Sequence, residues 1–168
     1  MLSLVPETEE ILHTKLEPFD FNNPPIDPTM VCRQLLEVMQ NSNALGVSAN
    51  QLGLPHRVFL MKGYPNEPTF AVFNPRIVNY SDQMANYKEG CLTYPGLAVR
   101  IKRPIEIRVR FQDAGGTIIT KQFNGVHARV FQHEFDHMEG QDFMNKANFM
   151  NRAKAIKDWA NLKRKMKG

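Results

Sequence analysis

Residues 132–137 read Gln132-His133-Glu134-Phe135-Asp136-His137, an H-E-x-x-H pattern within a stretch of helical periodicity. On a helix the two histidines stand four residues apart on one face, so both imidazoles can grip one metal ion. Glu134, beside the first of them, can reach a water on that metal and take its proton. Two ligands are too few for a catalytic metal, which commonly has three protein ligands and one open position. The third ligand therefore decides the chemistry.

Two peptidase patterns draw that ligand from further along the chain, and neither is met. H-E-x-x-H-x-x-G-x-x-H places its last histidine where Phe143 stands, although its glycine is present as Gly140. The other pattern takes a Glu from a later helix. Beyond Gly140 the carboxylates are Asp142, too close to fold back, and Asp158, inside a strongly basic segment.

Upstream lie two cysteines. Cys32 falls in 27–43, where Asp27 suits an N-cap, Pro28 suits the first turn, and Val31, Leu35 and Met39 form an apolar stripe. Beside such a stripe a thiol reads as packed and inert. Cys91 follows Gly90 and precedes Pro95-Gly96, a tight, exposed backbone from which a thiolate can point at a metal. Cys91, His133 and His137 with an open fourth position suit zinc or ferrous iron. His13, His56 and His127 have no comparable partners and read as solvated or structural.

Three segments together resemble the peptide deformylase family, which carries G-x-G-x-A-A-x-Q, E-G-C-L-S and H-E-x-D-H in that order. Here they stand as Ala44-Leu45-Gly46-Val47-Ser48-Ala49-Asn50-Gln51, Glu89-Gly90-Cys91-Leu92-Thr93 and His133-Glu134-Phe135-Asp136-His137. The similarity runs from about Pro6 to Phe143. Ala44, Ser48 and Thr93 depart from the pattern without removing a chemical group. A positive φ at Ala44 would be strained by its Cβ. Arg129, one helical turn before His133, stands where the family often has an aliphatic residue.

The resemblance implies removal of the formyl group from the N-terminal formyl-methionine of nascent polypeptides, with release of formate. Metal-bound water attacks the formyl carbonyl, and Glu134 serves as general base and then general acid. The oxyanion donors it implies are the Gln51 side-chain amide and the Leu92 backbone N–H. Ligands are Cys91, His133 and His137, and the metal is ferrous iron, for which zinc, nickel or cobalt can substitute. Glu89 pairs with Arg103 to fix the segment presenting Cys91. The methionine pocket is formed by Leu45, Tyr87, Val126, Arg129 and Val130, with Gly46 and Gly90 along the bound peptide.

The rest of the chain reads as α+β, with antiparallel strands packed around a central H-E-x-x-H helix and a basic helix at the C-terminus. Residues 57–62 and 69–78 read as strands, and Leu97, Val99 and Ile101 alternate with polar neighbours. After a break at Pro104, 105–111 and 117–123 form a hairpin turned at Asp113-Ala114-Gly115-Gly116. Helices are expected over 28–42, 125–139 and 148–166, with Gly140 stopping the second. The division is a catalytic domain over 1–147 and an amphipathic helix over 148–168.

From Asn148 onward seven basic residues face Asp158 alone, a local +6 that leaves −2 for the first 147 residues. Phe149, Ala153, Ile156 and Ala160 keep helical spacing, with Trp159 and Met166 nearby, so one face can dock while the other stays cationic. Such a helix suits contact with ribosomal RNA through its phosphates. No signal peptide or membrane span is visible, and two cysteines give no disulfide framework, so a reducing cytoplasm and no membrane partner are expected. A metallopeptidase is disfavoured by Phe143. A non-catalytic nascent-chain or ribosome-binding module has no need of the full Gln51, Cys91, His133, Glu134 and His137 set. An electron-transfer iron protein has no need of a Glu beside a water-accessible metal.

Overall fold

In the computed structural model, which describes residues 2–168, antiparallel sheets and three α-helices make an α+β protein. The strands are β1 (Gly46–Ser48), β2 (Val58–Met61), β3 (Phe70–Tyr80), β4 (Met84–Cys91), β5 (Tyr94–Pro104), β6 (Glu106–Gln112) and β7 (Ile118–Asn124). The helices are α1 (Pro28–Ser42), α2 (Gly125–Met138) and α3 (Phe149–Lys167). One sheet has the order β1-β2-β3-β6-β7, and β4 pairs with β5 in a second. Every pairing is antiparallel.

Apolar side chains set these layers. Phe131, Ala128 and Met138 of α2 sink among Phe59, Met61, Val72, Ile107, Val109, Phe111 and Phe123 of the larger sheet. Phe131 stacks near Phe123 at 5.6 Å and meets Phe59 edge-on at 5.2 Å. Each such aromatic contributes about 1.5–3 kcal/mol of transfer free energy when fully buried. On the other side, Val31, Leu35 and Met39 of α1 pack on Val47, Val58, Leu60 and Phe73. Asp27 caps α1 by accepting from the Thr29 N–H at 2.9 Å, and Asn43 closes it in the left-handed region at φ 56°. The left-handed residue is thus Asn43 and not Ala44, so Ala44 carries no such strain.

α2 ends against the N-terminal segment. Gly140 has φ +69°, and a Cβ there would sit 2.6 Å from the Thr14 carbonyl carbon, so only glycine fits. Arg57 Nη1 donates to the carbonyls of Met138 at 2.9 Å and Leu16 at 3.2 Å. The Met138 carbonyl also accepts from the Leu16 N–H at 2.9 Å, so Arg57 and the N-terminal segment together close the end of α2.

Two strands have no counterpart in the sequence reading, β1 and β4. Cys91 is accordingly not on an exposed loop. It is half-buried as the last residue of β4, and the turn that follows is Leu92-Thr93, since Cys91 pairs with Tyr94. Pro95-Gly96 lies inside β5, in a bulge of residues 95–97 opposite the Gly90–Cys91 step. The break at Pro104 is real, but the alternation before it belongs to the β4–β5 pair.

α3 also docks differently from the expected stripe. Phe149 and Ile156 are exposed, and the face that meets β5 carries Ala155 and Trp159. Trp159 Nε1 donates to the Pro95 carbonyl at 2.8 Å. The face displayed to β5 is one residue out of phase with that stripe, with Ala155 buried in the same cluster as Tyr94, Leu97 and Val99.

Candidate metal centre

α2 presents His133, Glu134 and His137 to one side, and β4 brings Cys91 up to them. The Cys91 thiol and the two imidazoles offer ligand atoms that all lie within 4.8 Å of one another. Cys91 Sγ is 3.4 Å from His137 Nε2. One thiolate and two imidazoles form a donor set suited to zinc or ferrous iron. His133 uses Nδ1 to meet Glu89 Oε1 at 2.9 Å, which leaves Nε2 for a metal.

Behind the imidazoles stands a buried ion network. Arg103 forks onto Glu89 through Nε at 2.5 Å and Nη2 at 3.0 Å, and its Nη1 reaches Asp136 at 2.9 Å. Arg129 adds a contact from Nη1 to Glu89 Oε2 at 2.6 Å. Burial works to raise the Glu89 carboxyl, but hydrogen bonds from His133 and Arg103 outweigh it and hold the group at about 2. Glu134 has no cation so placed. Burial, aided by the charges of Asp136 and Glu89 and opposed by His133, pushes its carboxyl up to about 7. Its Oε2 is buried without a hydrogen-bond partner among the described residues. A carboxyl close to neutrality with a free oxygen is suited to take and return a proton.

Gln51 follows β1 in a 3₁₀ turn over Ala49–Leu52. Its Oε1 accepts from the Ser48 N–H at 3.0 Å, while Nε2 points at Cys91 Sγ at 3.4 Å and Thr93 Oγ1 at 3.0 Å. The Ser48 hydroxyl stands 2.7 Å from Asn50 Oδ1 and 3.1 Å from Gln51 Oε1. Asn50 donates to the His137 carbonyl at 2.8 Å, tying this turn to α2.

These groups border a cleft of about 1140 Å³. Leu45, Gly46, Tyr87 and Gly90 line it, as do Val126, Arg129 and Val130. Leu92 lines it too, together with Gln51, Cys91, His133 and Glu134. Tyr87 and Val126 are 61% and 62% exposed, which puts them on the rim. Gly46 approaches the base so closely that a Cβ would come within 3.0 Å of Glu134 Cγ and Oε1. Phe143, where a peptidase would have histidine, is buried with its ring 5.2 Å from that of His133.

Sequence reasoning gave no role to Asp136, Thr93, Ser48 or Asn50. Asp136 was visible as a carboxylate one residue before His137, and Arg103 continues the inward phase of Leu97, Val99 and Ile101. Cys32 packs half-buried against the α1 core, and burial raises its thiol to about 11. In metal-stripped protein at pH 8, alkylation is expected at Cys91 and not at Cys32. Peptide mass mapping reads this, and equal labelling of both would contradict it.

Known proteins share this architecture. The family model for polypeptide deformylases matches residues 1–153. The peptide deformylase of Thermotoga neapolitana is 38% identical over 107 residues, 64% of this chain and 64% of that relative. The chain thus spans under two thirds of that relative's length. The peptide deformylase of Chlorobium luteolum is 31% identical over 144 residues, 83% of this chain and 74% of the relative. Among solved structures, Plasmodium falciparum peptide deformylase in complex with an inhibitor has a TM-score of 0.81 at 29% identity, covering 96% of this chain and 99% of that one. A variant of Arabidopsis thaliana peptide deformylase 1B has a TM-score of 0.86 at 27% identity, covering 98% and 91%. A match over nearly the whole sequence, on a fold shared with solved deformylases, establishes that the chain belongs to the polypeptide deformylase family.

Proposed function

We propose that the protein is a metal-dependent hydrolase that removes the formyl group from the N-terminal formyl-methionine of nascent polypeptides. One observation carries this reading: the Cys91, His133 and His137 ligand atoms cluster beside a cleft that Glu134 and Gln51 also line. A metal held by Cys91, His133 and His137 would supply an acidified water and polarise the formyl carbonyl. Glu134 takes the proton from the attacking water and delivers it to the departing amine as the carbon–nitrogen bond breaks, leaving formate and a free N-terminus. The Gln51 side-chain N–H and the Leu92 backbone N–H donate to the oxygen that gains charge. Glu89 and Arg103 hold the His133 ring in the orientation that turns Nε2 outward. Leu45, Gly46, Tyr87, Gly90, Val126, Arg129 and Val130 receive the peptide. The test is formate release from a formyl-methionyl peptide by anaerobically prepared, iron-loaded protein. No formate with metal bound would sink the reading.

Ferrous iron is the proposed working metal, with nickel, cobalt or zinc able to substitute. A thiolate ligand donates more charge than an imidazole and exposes the site to oxidation. Iron-loaded protein is expected to turn over faster than zinc-loaded protein, and equal or better zinc activity contradicts the assignment.

Residues 1–147 form the proposed catalytic domain, and the basic helix over 148–168 is proposed to contact ribosomal RNA. Its lysines and arginines are largely exposed, while Trp159 anchors the opposite face. Ribosome pelleting should be salt-sensitive and lost on deleting residues 148–168, whereas salt-independent binding argues against phosphate contact. A cytoplasmic location suits a substrate that arises at the ribosome. Among the described residues no helix is long and apolar enough to cross a membrane.

A further inference from the structure

Arg129 is the guanidinium of the buried network that also borders the cleft. Its guanidinium runs along β4, meeting three alternate residues of that strand. Nη2 donates to the Ala85 carbonyl at 2.8 Å, the guanidinium carbon lies 5.4 Å from the centre of the Tyr87 ring, and Nη1 reaches Glu89 Oε2 at 2.6 Å. Nη1 also meets the Ile101 carbonyl on β5 at 3.0 Å. Only 14% of the side chain is exposed. One residue of α2 thus bonds both strands of the hairpin that carries Cys91.

The charges fit this arrangement. Glu89 Oε2 receives Arg103 and Arg129, and Oε1 receives Arg103 and His133. Asp136 takes the remaining arm of Arg103 at 2.9 Å and meets Lys146 Nζ at 3.7 Å. Without Arg129 the buried Glu89 Oε2 would keep a single guanidinium contact, from Arg103.

We propose that Arg129 is a positioning and specificity residue, which staples the β4–β5 hairpin to α2 and so fixes both the Tyr87 wall of the cleft and the Glu89 carboxylate that aims His133. This rests on the deformylase reading above. With its head tied to β4 and β5, Arg129 offers the cleft its methylene stem, an apolar surface for an unbranched side chain. Tyr87, on the rim, is held by the guanidinium under its ring and sets the width of the pocket. The peptide's first side chain and the metal ligand are thereby gripped through the same group.

The experiment compares wild type with Arg129→Met and Arg129→Lys, using formyl-methionyl, formyl-norleucyl and formyl-alanyl peptides. Metal release to a competing chelator is followed in parallel. Methionine keeps an apolar stem and removes the fork, so KM for the methionyl and norleucyl peptides should rise about tenfold or more, as expected for a lost charged hydrogen bond. Preference over the alanyl peptide should shrink, and metal release should quicken by about tenfold. Lysine keeps the charge but cannot span Glu89, Ala85 and Ile101 together, so it should fall between the two. Wild-type KM, preference and metal release in Arg129→Met overturn the proposal. If that variant does not fold, wild-type values in Arg129→Lys overturn it. Absence of formate from wild type refutes the deformylase reading instead, and the metal-release comparison still decides the stapling role.

Discussion

Replacing Glu134 by alanine is expected to lower kcat for formate release by about 10²–10⁴-fold, the usual contribution of a positioned acid–base group. Metal content should be unchanged, because Cys91, His133 and His137 hold the ligand atoms and Glu134 does not. The geometry explains the size of the effect. Glu134 is buried, lies against Gly46 so closely that no Cβ would fit there without displacement, and keeps one oxygen without a partner. No other carboxylate can replace it, since Glu89 and Asp136 are committed to Arg103. KM should change little if Glu134 acts on the proton alone. A variant that retained activity within a fewfold of wild type, with metal bound, would remove Glu134 from the mechanism.

Glu89→Gln is expected to destabilise the protein by about 3–5 kcal/mol, because it leaves Arg129 without its carboxylate and buried Arg103 with Asp136 alone. The same change should weaken metal binding by about 10–100-fold, since the His133 ring loses its carboxylate partner. The pH dependence has a definite sign. The Glu89 carboxyl is held at about 2 in the fold, against an ordinary value near 4.5. A depressed carboxyl contributes stability that is fully present above its unfolded value and is lost as pH falls toward its folded one. The stability gap between wild type and Glu89→Gln should therefore be widest at neutral pH and narrow between about pH 4.5 and 2. Urea melts of the metal-stripped proteins at several pH values measure it. A gap that held constant to pH 2.5 would mean that the variant is destabilised by lost shape complementarity and not by charge.

The parts of this molecule that were readable in sequence are those with a strong period. α2 announces itself by two histidines four apart among Phe131, Phe135 and Met138, and the β6–β7 hairpin by the alternation of Ile107, Val109 and Phe111. β4 has no such pattern, because along Met84–Cys91 only Glu89 is buried and the rest lies half or fully open. A strand whose inward residue is a carboxylate looks like a loop until its cation is known. Arg103 supplies that cation from an otherwise apolar phase of β5, and the pairing of the two strands is visible only in three dimensions. Arg129 stood out as a departure in an apolar pocket, and the structure resolves it by turning the guanidinium away onto β4 and β5. The docking face of α3 was misjudged because several stripes of mixed apolar residues compete there, and the fit of Ala155 and Trp159 to β5 selects one.

The bonds that seal α2 have a kinetic consequence. Asn50 reaches the His137 carbonyl across 87 residues of chain, Arg57 reaches the Met138 carbonyl across 81, and Glu89 meets His133 across 44. Contacts of such separation carry a loop-closure cost and slow folding relative to local ones. All the partners that aim the metal ligands are made before α2 in the chain, so they wait for the helix to emerge from the ribosome. No local fragment can preassemble the site. The metal's donor set is therefore complete only once long-range closure has brought Cys91 to His133 and His137.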